Sequence, residues 1–347
     1  MRLAGMWKLG TGFAALIFCL SAKAQTAPIV PASTQAAPNS QQSTAPSATP
    51  QQPEAQQPPL ANGSGSDQDS TFVFKKQVNE VVLHATVVDA RGELQTHLDQ
   101  SAFSVFEDDV PQVITSFRRQ DVPVAIGVVV DNSGSMRDKR AQVNQAVMNL
   151  IRASNPDDEV FVVNFSSNPY LDQDFTSDPN LLEHALHQAS MKGSTALYDA
   201  VVASDRHLKN NPRLDKKVLL VITDGRDNMS RSTLQEAQRD LQQENGPTLY
   251  AIGLMSSETQ ASSRDALQRL AEATGGAAFF PDNLDQVSDI TRALAHDIRS
   301  QYILAYRPHV PDPNANYHPI RVEAHIQGAP PMIVHTRKGI YTGESGR

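Results

Sequence analysis

Val124-Ala125-Ile126-Gly127-Val128-Val129-Val130-Asp131-Asn132-Ser133-Gly134-Ser135 is the stretch on which the fold turns. Residues 124–130 carry no polar side chain, so there is no alternation that would leave one face of a strand in water. Such a run is expected of a strand buried on both faces, as in a parallel sheet covered by helices. It stops abruptly at a carboxylate, an amide and two hydroxyls. Next, Val143, Val147, Leu150 and Ile151 fall on one side of a helix. Residues 160–165 read as the following strand. Asp178-Pro179 opens a helix carrying Leu182, Ala185 and Leu186, with Pro in the tolerated first position. Leu197, Val201 and Leu208 mark another helix, and residues 218–222 another buried strand. Thr233 and Glu236 form a capping box. A strand at 249–254 precedes a helix with Leu267, Leu270 and Ala271, which Gly275 closes. A short strand at 277–280 leads into a last helix with Leu284, Val287, Ile290, Leu294 and Ile298 on one side. The alternation predicts an α/β fold with a doubly wound, mostly parallel sheet.

The rhythm differs on either side. Val81, Leu83, Ala85 and Val87 alternate with Val82, His84, Thr86 and Val88, and Asp89 to Gly92 reads as a turn. Phe103 and Val105 repeat the pattern of two, as do Val113, Thr115 and Phe117. It returns at Tyr302, Leu304 and Tyr306, at Ile320, Val322, Ala324 and Ile326, and at 332–335. Each flank is too small to stand alone. The expectation is one small β-sandwich built from segments 71–121 and 300–347, with residues 122–299 inserted between them.

The chain has 347 residues and a formal net charge of −8. Its start reads as an address. Arg2 and Lys8 precede an apolar run over 13–20, and Ala22-Lys23-Ala24 has the small-x-small form of a cleavage site. Residues 1–24 are therefore expected to be a secretory signal peptide. The run is too short to span a bilayer, and Phe18 before Cys19 does not fit a lipoprotein signal. Cleavage removes Cys19, the sole cysteine, and leaves no transmembrane span and 27 basic against 38 acidic residues. Such a balance argues against a nucleic-acid partner, which needs clustered cations. The absence of other cysteines excludes a disulfide scaffold and a thiolate zinc site. Residues 25–70 hold eight Pro and nine Gln but no aromatic, Lys or Arg. Too little apolar surface is present there to offset the entropy of ordering, so a disordered linker is expected.

Three short segments fall beyond strand ends, where open α/β sheets present ligands. They are Asp131-Asn132-Ser133-Gly134-Ser135, Gly193-Ser194-Thr195 and Thr223-Asp224-Gly225. Taken singly, each is an ordinary turn or helix cap. Together they bring hard oxygen donors suited to Mg2+ or Mn2+. Ser133 and Ser135 are two apart in a tight loop and can face one centre, with Gly134 expected to give the turn its room. Three neutral hydroxyls and two carboxylates leave a divalent ion electrophilic, with a position open to a Glu or Asp from another protein.

The pattern Asp131-x-Ser133-x-Ser135, Thr195, Asp224 resembles the metal-ion-dependent adhesion site of von Willebrand factor type A domains. Residues 196–200 (Ala-Leu-Tyr-Asp-Ala), Ile252-Gly253-Leu254 and Thr274-Gly275-Gly276 resemble that family too. The flanks, with Phe106-Glu107-Asp108 and Tyr306-Arg307-Pro308, look like a bacterial subgroup described mainly from acidobacteria. The resemblance implies that Ser133, Ser135 and Thr195 bind the metal directly, and Asp131 and Asp224 through water. It also implies an exported, periplasmic or extracellular binding module that captures a partner carboxylate, and not an enzyme. Two alternatives stand beside it: an envelope assembly factor whose metal only stiffens the loops, and a metal-assisted hydrolase.

Rival signals are weaker. A phosphotransferase would want a carboxylate where Ser133 stands, and neither a nucleophile elbow nor a phosphate-cradling loop is present. His184 and His187 are three apart on a helix but suit a solvated face. Asp312, Asn314, Asn316 and Glu323 fall at EF-hand offsets, with Tyr317 where the turn needs Gly. Asp227 and Ser230 are expected to cap the helix that follows them or to border the metal.

Overall fold

The computed structural model describes residues 80–119, 121–188, 192–211, 213–255, 261–308, 315–328 and 330–342. The signal peptide expected at 1–24, the linker expected at 25–70, the start at Thr71, and Asp312 and Asn314 of the calcium-like loop lie outside these residues.

The apolar run forms β5, Val124–Asp131, buried at every position. Its neighbours are β6 (Glu159–Phe165) and β8 (Lys216–Thr223), both parallel to it. Among the described residues they belong to a six-stranded sheet. Beyond β8 come β9 (Thr248–Gly253) and β10 (Ala278–Phe279), and beyond β6 comes β7 (Pro169–Thr176). Helices α1 (Arg140–Arg152), α2 (Pro179–His187) and α6 (Asp285–Arg299) cover one face. Helices α3 (Leu197–Lys209), α4 (Leu234–Leu241) and α5 (Ala261–Thr274) cover the other. Chain order runs outward from β5 in opposite directions through β6 and β8. A crevice therefore opens above the carboxyl ends of β5 and β8. The expected doubly wound α/β fold is observed.

One strand was not expected. β7 is antiparallel to β6 and closes the sheet's edge. Its sequence, Pro-Tyr-Leu-Asp-Gln-Asp-Phe-Thr, is half exposed and half partly buried and carries neither a continuous apolar run nor a sustained alternation. At an edge, one pairing partner and partial burial suffice.

The flanks form two four-stranded sheets. One is β13-β1-β11-β4: Ile333–His335, Val81–Val88, Tyr302–Tyr306 and Ile114–Arg118. The other is β14-β12-β2-β3: Gly339–Tyr341, Tyr317–Ala324, Phe103–Glu107 and Val110–Gln112. Leu83 lies opposite Leu304, and Val105 opposite Val322, so each sheet joins strands from both flanks. Leu83, Ala85, Tyr302 and Leu304 share one core with Phe103, Val105, Val322 and Ile340. The Tyr302 ring sits 4.9 Å from that of Phe103, and its hydroxyl donates to the Gln95 carbonyl (2.7 Å) and accepts from the Leu98 amide (2.9 Å). Two details differ from expectation. Val113 stands between β3 and β4, 79% exposed, so that strand starts at Ile114. Ile326 lies past the end of β12 and is also exposed.

The α/β part leaves and rejoins the sandwich at one carboxylate. The Val124 amide donates to Asp158 Oδ1 (2.8 Å), and Arg299 reaches Asp158 Oδ2 (2.9 Å) and Asp121 Oδ2 (2.8 Å). A second contact comes from the C-terminal strands. The Lys338 amide donates to the Ala273 carbonyl (3.1 Å) and the Tyr341 amide to the Gln242 carbonyl (3.0 Å). Gly275 has φ +84°, and a Cβ there would meet the Thr336 backbone at 2.4 Å, so glycine is required by both conformation and space. Among the described residues no helix is long and apolar enough to cross a membrane.

Candidate metal centre

The first loop leaves β5 at Asp131, which is fully buried. Asp131 Oδ1 accepts from the Ser133 amide (2.7 Å), and Oδ2 accepts from the Thr223 hydroxyl at the end of β8 (2.6 Å). The carboxylate thus fixes its own loop and ties it to the neighbouring strand. Burial pushes the Asp131 carboxyl above its ordinary value, against the pull of those two hydrogen bonds. The Arg140 guanidinium lies behind the loop and donates to the Asp131 carbonyl (3.3 Å); burial lowers its pKa to about 10.

Ser133 and Ser135 bring their hydroxyl oxygens to 3.2 Å, and Ser135 donates to Asp224 Oδ1 at 2.7 Å. Asp224 Oδ2 pairs with the Lys139 ammonium. Ser133, Thr195 and Asp224 are buried, whereas Ser135 is exposed, so the cluster opens to solvent on one side. Gly134 does not have the role expected of it. A Cβ there would meet nothing within 4 Å, and its φ is not positive. A short 3-10 turn over Gly134–Met136, with buried Met136 as its anchor, makes the bend instead.

Thr195 arrives from the loop before α3. The Ala196 amide donates to the Ser166 carbonyl (2.7 Å) and the Ser194 amide to the Ser167 hydroxyl (3.1 Å), which pins that loop to the end of β6. Asn228 holds it from the other side: its Oδ1 accepts from the Thr195 amide (2.9 Å), and its own amide donates to the Thr195 carbonyl (3.0 Å). Gly225 is needed for the approach. A Cβ there would stand 3.1 Å from the Thr195 hydroxyl oxygen and 3.8 Å from Asp131 Oδ2. All five expected residues therefore meet at the carboxyl ends of β5 and β8.

Sequence reasoning missed Lys139 and Asn228 and misplaced two caps. Asp227 Oδ2 accepts from the Tyr198 amide (3.0 Å) and the Ser230 hydroxyl accepts from the Asp199 amide (3.0 Å). They cap α3, the helix after Thr195, and not α4. The latter has the expected capping box of Thr233 and Glu236. A cap supplied from another loop leaves no local signal. His184 and His187 are both exposed, and His184 lies 3.2 Å from the Gln188 amide nitrogen, as on a solvated face.

The donor set fits a hard divalent cation. It offers hydroxyl and carboxylate oxygens only, on one side open to water, and a lysine ammonium is already drawn to one carboxylate.

Residues 126–226 match the family model of the von Willebrand factor type A domain, a span that contains all five residues. Residues 126–226, from β5 through β8, belong to a von Willebrand factor type A domain. Solved structures are similar to parts of the chain. The PilB minor pilin of Streptococcus sanguinis is 15% identical, with a TM-score of 0.44, over 53% of this chain and 63% of its own. The von Willebrand factor domain of the type V pilus tip protein Mfa5 of Porphyromonas gingivalis is 12% identical, with a TM-score of 0.42, over 55% and 99%. Proximal thread matrix protein 1 of the mussel byssus, with zinc in its adhesion-site motif, is 18% identical, with a TM-score of 0.44, over 56% and 50%. The chain thus spans less than two thirds of the pilin and of the byssus protein. No curated protein matches it.

Proposed function

We propose that the chain is an exported, non-enzymatic binding module whose type A domain captures a carboxylate of a protein partner through a divalent cation, Mg2+ or Mn2+. The observation that carries this reading is the convergence of Asp131, Ser133, Ser135, Thr195 and Asp224, from three loops, beside an exposed edge at Ser135. Ser133, Ser135 and Thr195 would hold the ion, and Asp131 and Asp224 would hold the serines and the ion's water. When bound, the cation supplies an electrophilic position for a Glu or Asp side chain. A binding role rather than hydrolysis is supported by the hydrogen bonds of the site. The Ser135 hydroxyl is already given to Asp224, and that carboxylate is itself paired with Lys139.

The test is metal-dependent capture of partners from envelope and secreted fractions. Binding should require Mg2+ or Mn2+, disappear in EDTA, and fall at least tenfold in Ser133→Ala while the unfolding transition stays cooperative. Capture unchanged in EDTA sinks the proposal. Metal uptake without metal-linked affinity would favour the assembly-factor reading, in which the ion only stiffens the loops. Export is tested separately: the mature protein should begin at Gln25.

A further inference from the structure

The sandwich holds a second cluster of ligating groups, built on strands other than those of the three-loop site. Glu107 ends β2, and Asp108 follows in the turn to β3. That turn has φ of +52° and +60° at Asp108 and Asp109, the left-handed pair of a tight hairpin. His318 lies on β12, whose residue Ile320 pairs with Glu107. The Asp108 amide donates to the Pro319 carbonyl (3.0 Å), which sets the turn against β12.

His318 Nδ1 is 2.7 Å from Asp108 Oδ2 and 4.0 Å from Glu107 Oε1. One donor atom from each of the three side chains falls within 4.8 Å of the others. Donors about 2.0–2.2 Å from a tetrahedral ion lie about 3.4 Å apart, between the two separations measured here.

The burial of these groups is the independent observation. Glu107 is 6% exposed and His318 1%. His318 Nε2 has no hydrogen-bond partner, and the Glu107 carboxylate meets the hydroxyl of fully buried Tyr306. A carboxylate held this far from water is costly unless a cation lies beside it.

We infer that Glu107, Asp108 and His318 form a second cation site, which takes a borderline divalent ion of the Zn2+ type. One imidazole nitrogen with two carboxylate oxygens suits that class, whereas Mg2+ and Ca2+ favour oxygen alone. The ion neutralises Glu107 and staples the β2–β3 hairpin to β12. This inference does not rest on the binding function proposed above.

Zn2+ can also enter the three-loop site, so the experiment uses the full-length chain carrying Asp131→Ala. Equilibrium dialysis with Zn2+ should find one ion retained per chain, and the thermal midpoint should rise with Zn2+. Adding His318→Gln should weaken retention at least tenfold and abolish the thermal shift. Asp108→Asn repeats the test without disturbing the core, since that side chain is 39% exposed. Co2+ in place of Zn2+ should give a visible absorption band that both variants lose. No ion retained by Asp131→Ala, or equal retention after Asp108→Asn and His318→Gln, overturns the inference. If His318→Gln does not fold, Asp108→Asn alone decides.

Discussion

At the entry to the α/β half the Val124 amide and the Asp158 carboxylate are 34 residues apart. In the sandwich the Tyr302 hydroxyl takes the Leu98 amide from 204 residues away. Closing the longer loop in an unfolded chain costs about 1–2 kcal/mol more. The cost shrinks once the type A domain has formed, because Asp158 then holds Val124 and Arg299 together. The difference teaches an order of dependence. The expectation is that the α/β half stands without the sandwich, whereas the sandwich needs the α/β half to bring its two parts together.

The strongest way to break that comparison is Tyr302→Ala. It removes a fully buried ring packed on Phe103 and Phe117, together with both hydroxyl bonds. A loss of about 3–5 kcal/mol is expected. It should appear by hydrogen exchange in β1, β2, β4 and β12, with protection in β5 and β8 retained. Equal loss in both halves would show that neither stands alone.

Gly127→Ala attacks the other half. A Cβ there would meet the Phe161 ring at 2.4 Å and Leu219 at 2.6 Å, across two neighbouring strands. Overpacking should cost about 1–3 kcal/mol. Denaturant unfolding should now show the sandwich lost together with the sheet. Retention of the sandwich signal after the sheet has melted would contradict the proposed dependence.

A smaller effect sharpens the local side of the contrast. Thr233→Ala breaks the capping box of α4 and should cost about 1 kcal/mol, with exchange accelerated in that helix alone.

The smallest effect at neutral pH lies where the halves meet. Burial, and then the charges of Lys216, Arg337 and Lys217, lower the pKa of His84 on β1 to about 3. The folded state therefore binds fewer protons there than the unfolded chain, whose imidazole titrates near 6.5. The stability this group contributes is present above pH 6.5 and is lost as pH falls toward 3. His84→Gln should flatten the decline of the unfolding midpoint across that window, and an unchanged slope would remove His84 as its cause.

How much of this was legible follows the same divide. The apolar run of β5, the capping box at Thr233 and the stop at Gly275 are local statements, and each stands where the sequence placed it. The five oxygen donors were found because each follows a strand or precedes a helix that can itself be read. Pairing of the flanks could be inferred only by economy, since period-two strands say nothing about their partners. β7 escaped because an edge strand needs little apolar surface. Lys139 and Asn228 escaped because their roles depend on which loop faces them. Glu107, Asp108 and His318 were out of reach for the same reason: the aspartate and the histidine are 210 residues apart.

The clasp at Asp158 has a consequence for engineering. The inserted domain passes in and out of its host through a single doorway, with both jambs held by one carboxylate. Residues 122–299 expressed as a separate cassette would have their termini side by side, the arrangement that favours circular permutation and transplantation. The remaining frame would need only a short bridge across the doorway to be sealed, or another cassette of equal gauge to be refitted.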